Sequence, residues 1–188
     1  MLLTGPEPFA HPELPLIVSA AANAGVERIG LRTDAGALSI PGNAEGVLGA
    51  GVRHLQVVLL GGAATHDDLT GRTGLFDAAM RGVGAFRSAA QAAGACVAVT
   101  ALIPACAHNV ADLPAAVAAL AAAGAVTVMI APTAAARQAR GFADWIAAAV
   151  DTGMVNGVWV TVADMEASHV PRSPLHAVSP FSLAGGVS

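Results

Sequence analysis

His66-Asp67-Asp68 stand together in the chain, and His108-Asn109 follow further along. Imidazole and carboxylate are common ligands of divalent metals, so His66, Asp67 and His108 form one candidate metal set. Such a set could polarise a carbonyl group or activate water. The competing reading is a polar loop after a strand, since loops gather such residues without chemistry. A second group is acidic: Glu7, Asp34, Asp164 and Glu166. Glu7 also reads as an acid at a helix start, and Asp34 as a turn residue bonding its own backbone. Thr133 is a further polar residue at a strand end, and it doubles as a helix cap. Cys96 and Cys106 are too few for a disulfide framework or for the four thiolates of an iron–sulfur cluster. They read as small apolar residues. His54 opens its strand and is excluded from the site, while Trp145 and Trp159 read as core. No dinucleotide fingerprint, P-loop, nucleophile elbow or HExxH pattern occurs, and Gly61-Gly62 is too short a pair to argue phosphate binding.

Those residues need a scaffold, and composition bounds it. The 188 residues fit one domain able to bury roughly 70% of its unfolded surface. Charged residues are 12%, against a usual share of about 25%. Hydrophobic residues reach 55%, which excludes a disordered chain. Net charge is -4, and all nine basic residues are scattered arginines, so no nucleic-acid surface is expected. Mean hydropathy of +0.63 raises the question of a membrane. Two uncharged stretches, 88–111 and 113–136, are long enough to span one. Both are broken by Gly and Pro and change from Ala-rich to Val/Ile/Leu-rich, which is a helix followed by a buried strand. With no basic segment before an apolar run at the N-terminus, no signal peptide is expected, and the setting is read as cytoplasmic.

One phrase recurs along the chain: an Ala-rich stretch, a glycine, then a β-branched run. It closes at Gly25, Gly51, Gly94, Gly124 and, more loosely, Gly153. Glycine just past a helix supplies the left-handed position there. The runs that follow are continuously apolar, the mark of parallel strands buried on both faces. Strands are expected at 2–4, 28–32, 55–60, 96–103, 126–130 and 158–162. Helices are expected at 12–23, 43–50, 76–93, 109–123 and 133–150, with a loop over 63–75. The fold class is α/β: a partial or open (β/α) barrel of about six parallel strands, with a doubly wound sheet as the alternative. The domain covers 1–163, and 164–188 read as an irregular tail.

Four strand ends carry a resemblance. Leu3-Thr4-Gly5-Pro6-Glu7-Pro8 followed by His11-Pro12-Glu13-Leu14, then Arg32-Thr33-Asp34-Ala35-Gly36, then Leu59-Leu60-Gly61-Gly62, and Thr65-His66-Asp67-Asp68-Leu69-Thr70-Gly71 with Gly74-Leu75-Phe76-Asp77 occur in order. Together they resemble the radical S-adenosylmethionine (radical SAM) superfamily over about 2–124. The resemblance implies a vestigial SAM pocket at Gly5, Glu7, Thr33 and Asp34. It also exposes departures. The family's C-x-x-x-C-x-x-C motif is absent from this sequence, and Leu2 falls at the family's second strand. Pro6 replaces a glycine and has no N–H to donate. The acid at the third strand end is missing. Radical chemistry by this chain alone is therefore not expected, nor an iron–sulfur cluster, and SAM binding is expected to be weak or vestigial. The implied function is a non-catalytic accessory subunit, partner subunit or small-molecule binder in a biosynthetic or modification pathway. The alternatives are a small metal-assisted enzyme on the polar rim and a decayed or truncated radical SAM protein. An open edge beside the first strand invites a homo-oligomer or another protein partner.

Overall fold

The computed structural model describes residues 1–163. Six strands form a single parallel sheet: β1 (Leu2–Leu3), β2 (Ile29–Thr33), β3 (Val52–Val58), β4 (Ala98–Ala105), β5 (Thr127–Pro132) and β6 (Trp159–Val162). Their spatial order is their order in the chain. A doubly wound sheet reverses order at a switch point and carries helices on both faces, so that alternative falls. Consecutive right-handed crossovers put every helix on one face instead. The helices are α1 (Leu14–Asn23), α2 (Asn43–Ala50), α3 (Ala63–Thr70), α4 (Leu75–Ala92), α5 (Leu113–Ala123), α6 (Ala134–Arg137) and α7 (Phe142–Val155). α1 packs on α2, α2 on α4, α4 on α5 and α5 on α7, which makes one helical layer. The sheet is open and does not close into a barrel.

Strand alternation divides the core into two unlike faces. Toward the helices point Leu31, Leu55, Val57, Val99, Ala101, Ile103, Val128 and Ile130, none more than 2% exposed. The opposite, concave face carries polar residues in register: Arg32 beside Gln56, Gln56 beside Thr100, Thr100 beside Thr127. Gln56, Thr100 and Thr127 are buried as well. Burial on both faces agrees with the apolar runs, but the concave side is held by cross-strand hydrogen bonds. Arg32 Nε donates to Gln56 Oε1 at 2.6 Å. His54 Nε2 and Thr100 Oγ1 lie 2.8 Å apart.

Several expectations need correction. The segment expected as a loop over 63–75 contains α3, because Gly71 at φ 65° lets a two-turn helix stop and the chain turn into α4. The single helix expected over 133–150 is two. Thr133 caps α6 by accepting the Ala136 N–H at 3.2 Å, and α7 starts afresh after Gly141. The fifth glycine is displaced too. Gly153 lies inside α7, where a Cβ would meet the Val160 side chain and the Val158 carbonyl, and Gly157 at φ 70° ends the helix. Trp159, expected in the core, is 68% exposed on β6, the last strand among the described residues. Trp145 is 39% exposed on α7. Cys96 is exposed before β4, so it does not pack as a small apolar residue, and Cys106 is half-buried just past that strand.

Candidate functional site

The polar residues gather beyond the C-terminal ends of β1, β2 and β3, where a parallel (β/α) fold presents its loops. Glu7 stands in the connection after β1. Its carboxylate accepts the Thr33 hydroxyl at 2.7 and 2.9 Å, the Asp34 N–H at 2.9 Å and the Phe9 N–H at 3.1 Å. One side chain thereby caps the short turn Pro8–Ala10 and ties it to the end of β2. Thr33 passes the chain on by accepting the Ala35 N–H at 2.9 Å. Asp34 receives the Gly36 N–H on Oδ1 at 2.8 Å, the turn bond expected of it, and Arg72 on Oδ2 at 2.9 Å. Ala35 is the only non-glycine residue at positive φ among the described residues, at 62°. A left-handed alanine is strained, and the bonds on either side of it hold it there.

The Asp34–Arg72 pair borders two clefts. The first has a volume of about 460 Å³ and is lined by Gly5, Pro6, Arg32, Thr33, Leu60 and His66 among others. The second, of about 540 Å³, lies against Glu7, Phe9 and the turn Gly36–Ser39. Both volumes suit a small organic ligand. Of the four residues assigned to a vestigial pocket, Gly5, Thr33 and Asp34 line the first cleft and Glu7 lines the second.

His66 lies on α3 and is 1% exposed. Its Nδ1 accepts the Leu60 N–H at 3.0 Å, and its Nε2 is buried with no hydrogen-bond partner. A desolvated, unpaired polar atom of this kind costs about 1–3 kcal/mol. Burial pushes the imidazole pKa down, against the upward pull of the Asp67 and Asp34 carboxylates. The ring meets Phe76 edge-on, with centroids 6.1 Å apart.

The metal set does not assemble. Asp67 turns away to receive the backbone N–H of Phe76, at 2.9 Å, and that of Gly74. Those bonds hold its pKa below the usual carboxylate value. His108 is exposed after β4. Among the described residues, no group of three or more His, Cys, Asp or Glu could hold a metal ion. Asn109, by contrast, is fully buried and structural. Its Nδ2 donates to the carbonyls of Leu60 at 3.0 Å and Pro104 at 2.9 Å, and its Oδ1 accepts the Cys106 N–H at 2.7 Å. That clamps the ends of β3 and β4 together. Asp112 bonds the Thr65 hydroxyl, tying α3 to the start of α5. Asp164 and Glu166 lie outside the described residues.

Two charged lining residues escaped the sequence reading as site residues, Arg32 and Arg72. Arg32 left a signal, being a charge inside the run Ile29–Thr33. Arg72 sits among ordinary turn residues and left none.

The fold and its rim define an open (β/α) protein with a ligand-sized cleft at the ends of its first three strands. No family model and no curated protein matches the chain. Solved structures of SuiB from Streptococcus suis do share its shape. The similarity reaches a TM-score of 0.60 at 9% identity for SuiB, and 0.63 at 10% for SuiB bound to S-adenosylmethionine. For SuiB bound to the precursor peptide SuiA it is 0.60 at 9%. Each match covers 87% of this chain but only 37–38% of the SuiB chain, so this chain spans well under half of SuiB's length. At such identities the likeness is one of fold. One of these structures holds S-adenosylmethionine, and what it shares with this chain is the fold.

Proposed function

We propose that this chain is a radical SAM-like protein that binds a small molecule in its rim cleft and serves as an accessory or partner subunit in a modification pathway. The observation that carries the reading is the first cleft, which Gly5, Thr33 and Asp34 line where the resemblance assigns SAM contacts. SAM binding to SuiB, which has the same fold, supports the ligand class. Three features argue against catalysis by this chain alone. Its cysteines lie before and after β4, away from the cleft between β1 and β3. Pro6 lines the cleft without an N–H to offer, and Glu7 spends its carboxylate on the protein's own rim. SAM-class binding is therefore weak, and any iron–sulfur cluster comes from elsewhere than Cys96 and Cys106.

A protein or peptide partner completes the reading. SuiB has been solved with a precursor peptide, and β1 pairs with one strand alone among the described residues. An unpaired strand edge accepts another chain, and either a second copy or a different subunit fits.

Thermal shift with SAM, S-adenosylhomocysteine and divalent metals tests the ligand reading. Stabilisation follows from the ratio of ligand concentration to affinity. A small rise in Tm at millimolar SAM or S-adenosylhomocysteine, and none with metals, is the expected result. Metal-only stabilisation lost in Asp67→Ala would revive the enzyme reading. A brown cluster formed on anaerobic reconstitution, and lost in Cys106→Ala, would overturn the non-catalytic one.

A further inference from the structure

The first cleft is richer in unspent donors than in acceptors. Because His66 Nδ1 accepts the Leu60 N–H, the proton of the neutral ring sits on Nε2. That N–H is buried and has no partner, on a residue that lines the cleft. Arg32 gives Nε to Gln56 and also lines the cleft, and its two terminal nitrogens remain available to a ligand. Arg72 adds a second guanidinium. On the acceptor side little remains. Asp34 has one oxygen on the Gly36 N–H and the other on Arg72. The Thr33 and Thr70 hydroxyls spend their protons on Glu7 and on the His66 carbonyl.

We infer that the first cleft receives a small molecule through an anionic oxygen group, a carboxylate or a phosphate, held by the Arg32 guanidinium and His66 Nε2–H. Guanidinium binds such groups with paired, charge-assisted bonds. His66 supplies a fixed donor from a residue lining the same cleft. An incoming oxygen also relieves the unpaired nitrogen, which a neutral or cationic ligand group does not. The apolar residues Val58, Leu60 and Leu69 line the rest of the cleft and suit the body of the ligand. This deepens the proposed binding role of the same cleft and rests on it.

Calorimetry on the full chain separates the two claims with paired probes. S-adenosylhomocysteine against its decarboxylated analogue, which keeps the amine, isolates a carboxylate, and adenosine monophosphate against adenosine isolates a phosphate. In at least one pair the anionic member should bind about tenfold tighter or more. The advantage should fall below about threefold in Arg32→Met and in His66→Asn. The Asn side chain can still accept the Leu60 N–H while lacking Nε2, and circular dichroism checks that both variants fold. Imidazole NMR should show the His66 Nε2–H signal shift on adding the tighter ligand. Equal affinity within both pairs overturns this inference and leaves the cleft's binding role standing. Binding of inorganic phosphate without any adenosyl compound sustains the anion site and sinks the SAM-class reading. An anionic preference that survives both substitutions overturns the assignment to Arg32 and His66, and no binding by any probe overturns both claims.

Discussion

At Glu7 a single carboxylate receives one hydroxyl and two backbone N–H groups, and Thr33, its nearest partner, is 2% exposed. Removing it leaves the buried Thr33 hydroxyl and two part-buried N–H groups without this partner. Glu7→Ala should cost about 2 kcal/mol in urea unfolding, and Glu7→Gln less, since the amide still offers one accepting oxygen. A neutral outcome for Glu7→Ala would mean that Glu7 does not hold the rim. The histidines set a pH dependence. Burial, with the N-terminal amine adding to it, lowers the His54 pKa from 6.5 to about 4. In that window the unfolded chain binds the proton and the folded chain does not. Stability is therefore full above pH 6.5 and falls as the pH drops toward 4. The loss from this ring is about 3 kcal/mol once both states are protonated. His66 adds to the slope in the same direction, because its pKa is also lowered. Urea titrations at a series of pH values should show His54→Gln flattening the curve.

Among the elements, α4 shows how closely a helix must approach the sheet ends to shape the rim. At Gly82 it lies against the turn Gly36–Ser39, and an added Cβ would strike the Ala35 carbonyl. Gly82→Ala should lose about 1–3 kcal/mol, because the helix has to back away from the strained Ala35. Two residues along, Gly84 has nothing within 4 Å of an added Cβ. Gly84→Ala should gain about 0.5–1 kcal/mol from helix propensity alone. Chemical denaturation of the pair checks both signs, and equal effects would show that the close approach is not real. The α3–α4 junction depends in the same way on Asp67. Its lowered pKa means that its contribution is present above the ordinary carboxylate value of 3.8 and is lost on acidification. Asp67→Ala should speed hydrogen exchange at the Gly74 and Phe76 amides and leave the β3–β4 amides protected.

At the scale of the whole molecule, the open sheet sets the behaviour in solution. Among the described residues β1 and β6 each pair on one side, and no helix is long and apolar enough to cross a membrane. Beside β6, Met154, Val155 and Trp159 are exposed at 67%, 86% and 68%. Few charges are available to keep such surface apart from other chains. Light scattering at high micromolar concentration should give a mass above that of one chain. A monomer at that concentration would sink the proposed self-association and leave a different partner as the remaining occupant of the β1 edge.

The repeating helix–glycine–strand phrase determined five strands in parallel βα alternation without any structure, with the apolar N-terminus adding a sixth, because buried parallel strands must be apolar and helix ends need a left-handed residue. The strand-end motifs likewise placed Gly5, Thr33, Asp34 and His66 on one rim, since a parallel fold presents every such end on the same side. Local pattern could not decide how the polar side chains pair. Glu7 looked like a ligand-facing acid and is occupied by Thr33 and Asp34 across the gap between β1 and β2. Asp67 looked like a metal ligand and holds the turn into α4. Asn109 looked like a rim residue and binds two strands together. Nor could it place the tryptophans, which read as core by size but fall exposed on α7 and β6. These outcomes depend on contacts between residues far apart in the chain, and hydrogen-bond partners at that distance leave no periodicity to read. The polar row Arg32, Gln56, Thr100 and Thr127 is the clearest case, because four unremarkable positions in four apolar runs become neighbours only once the strands are in register.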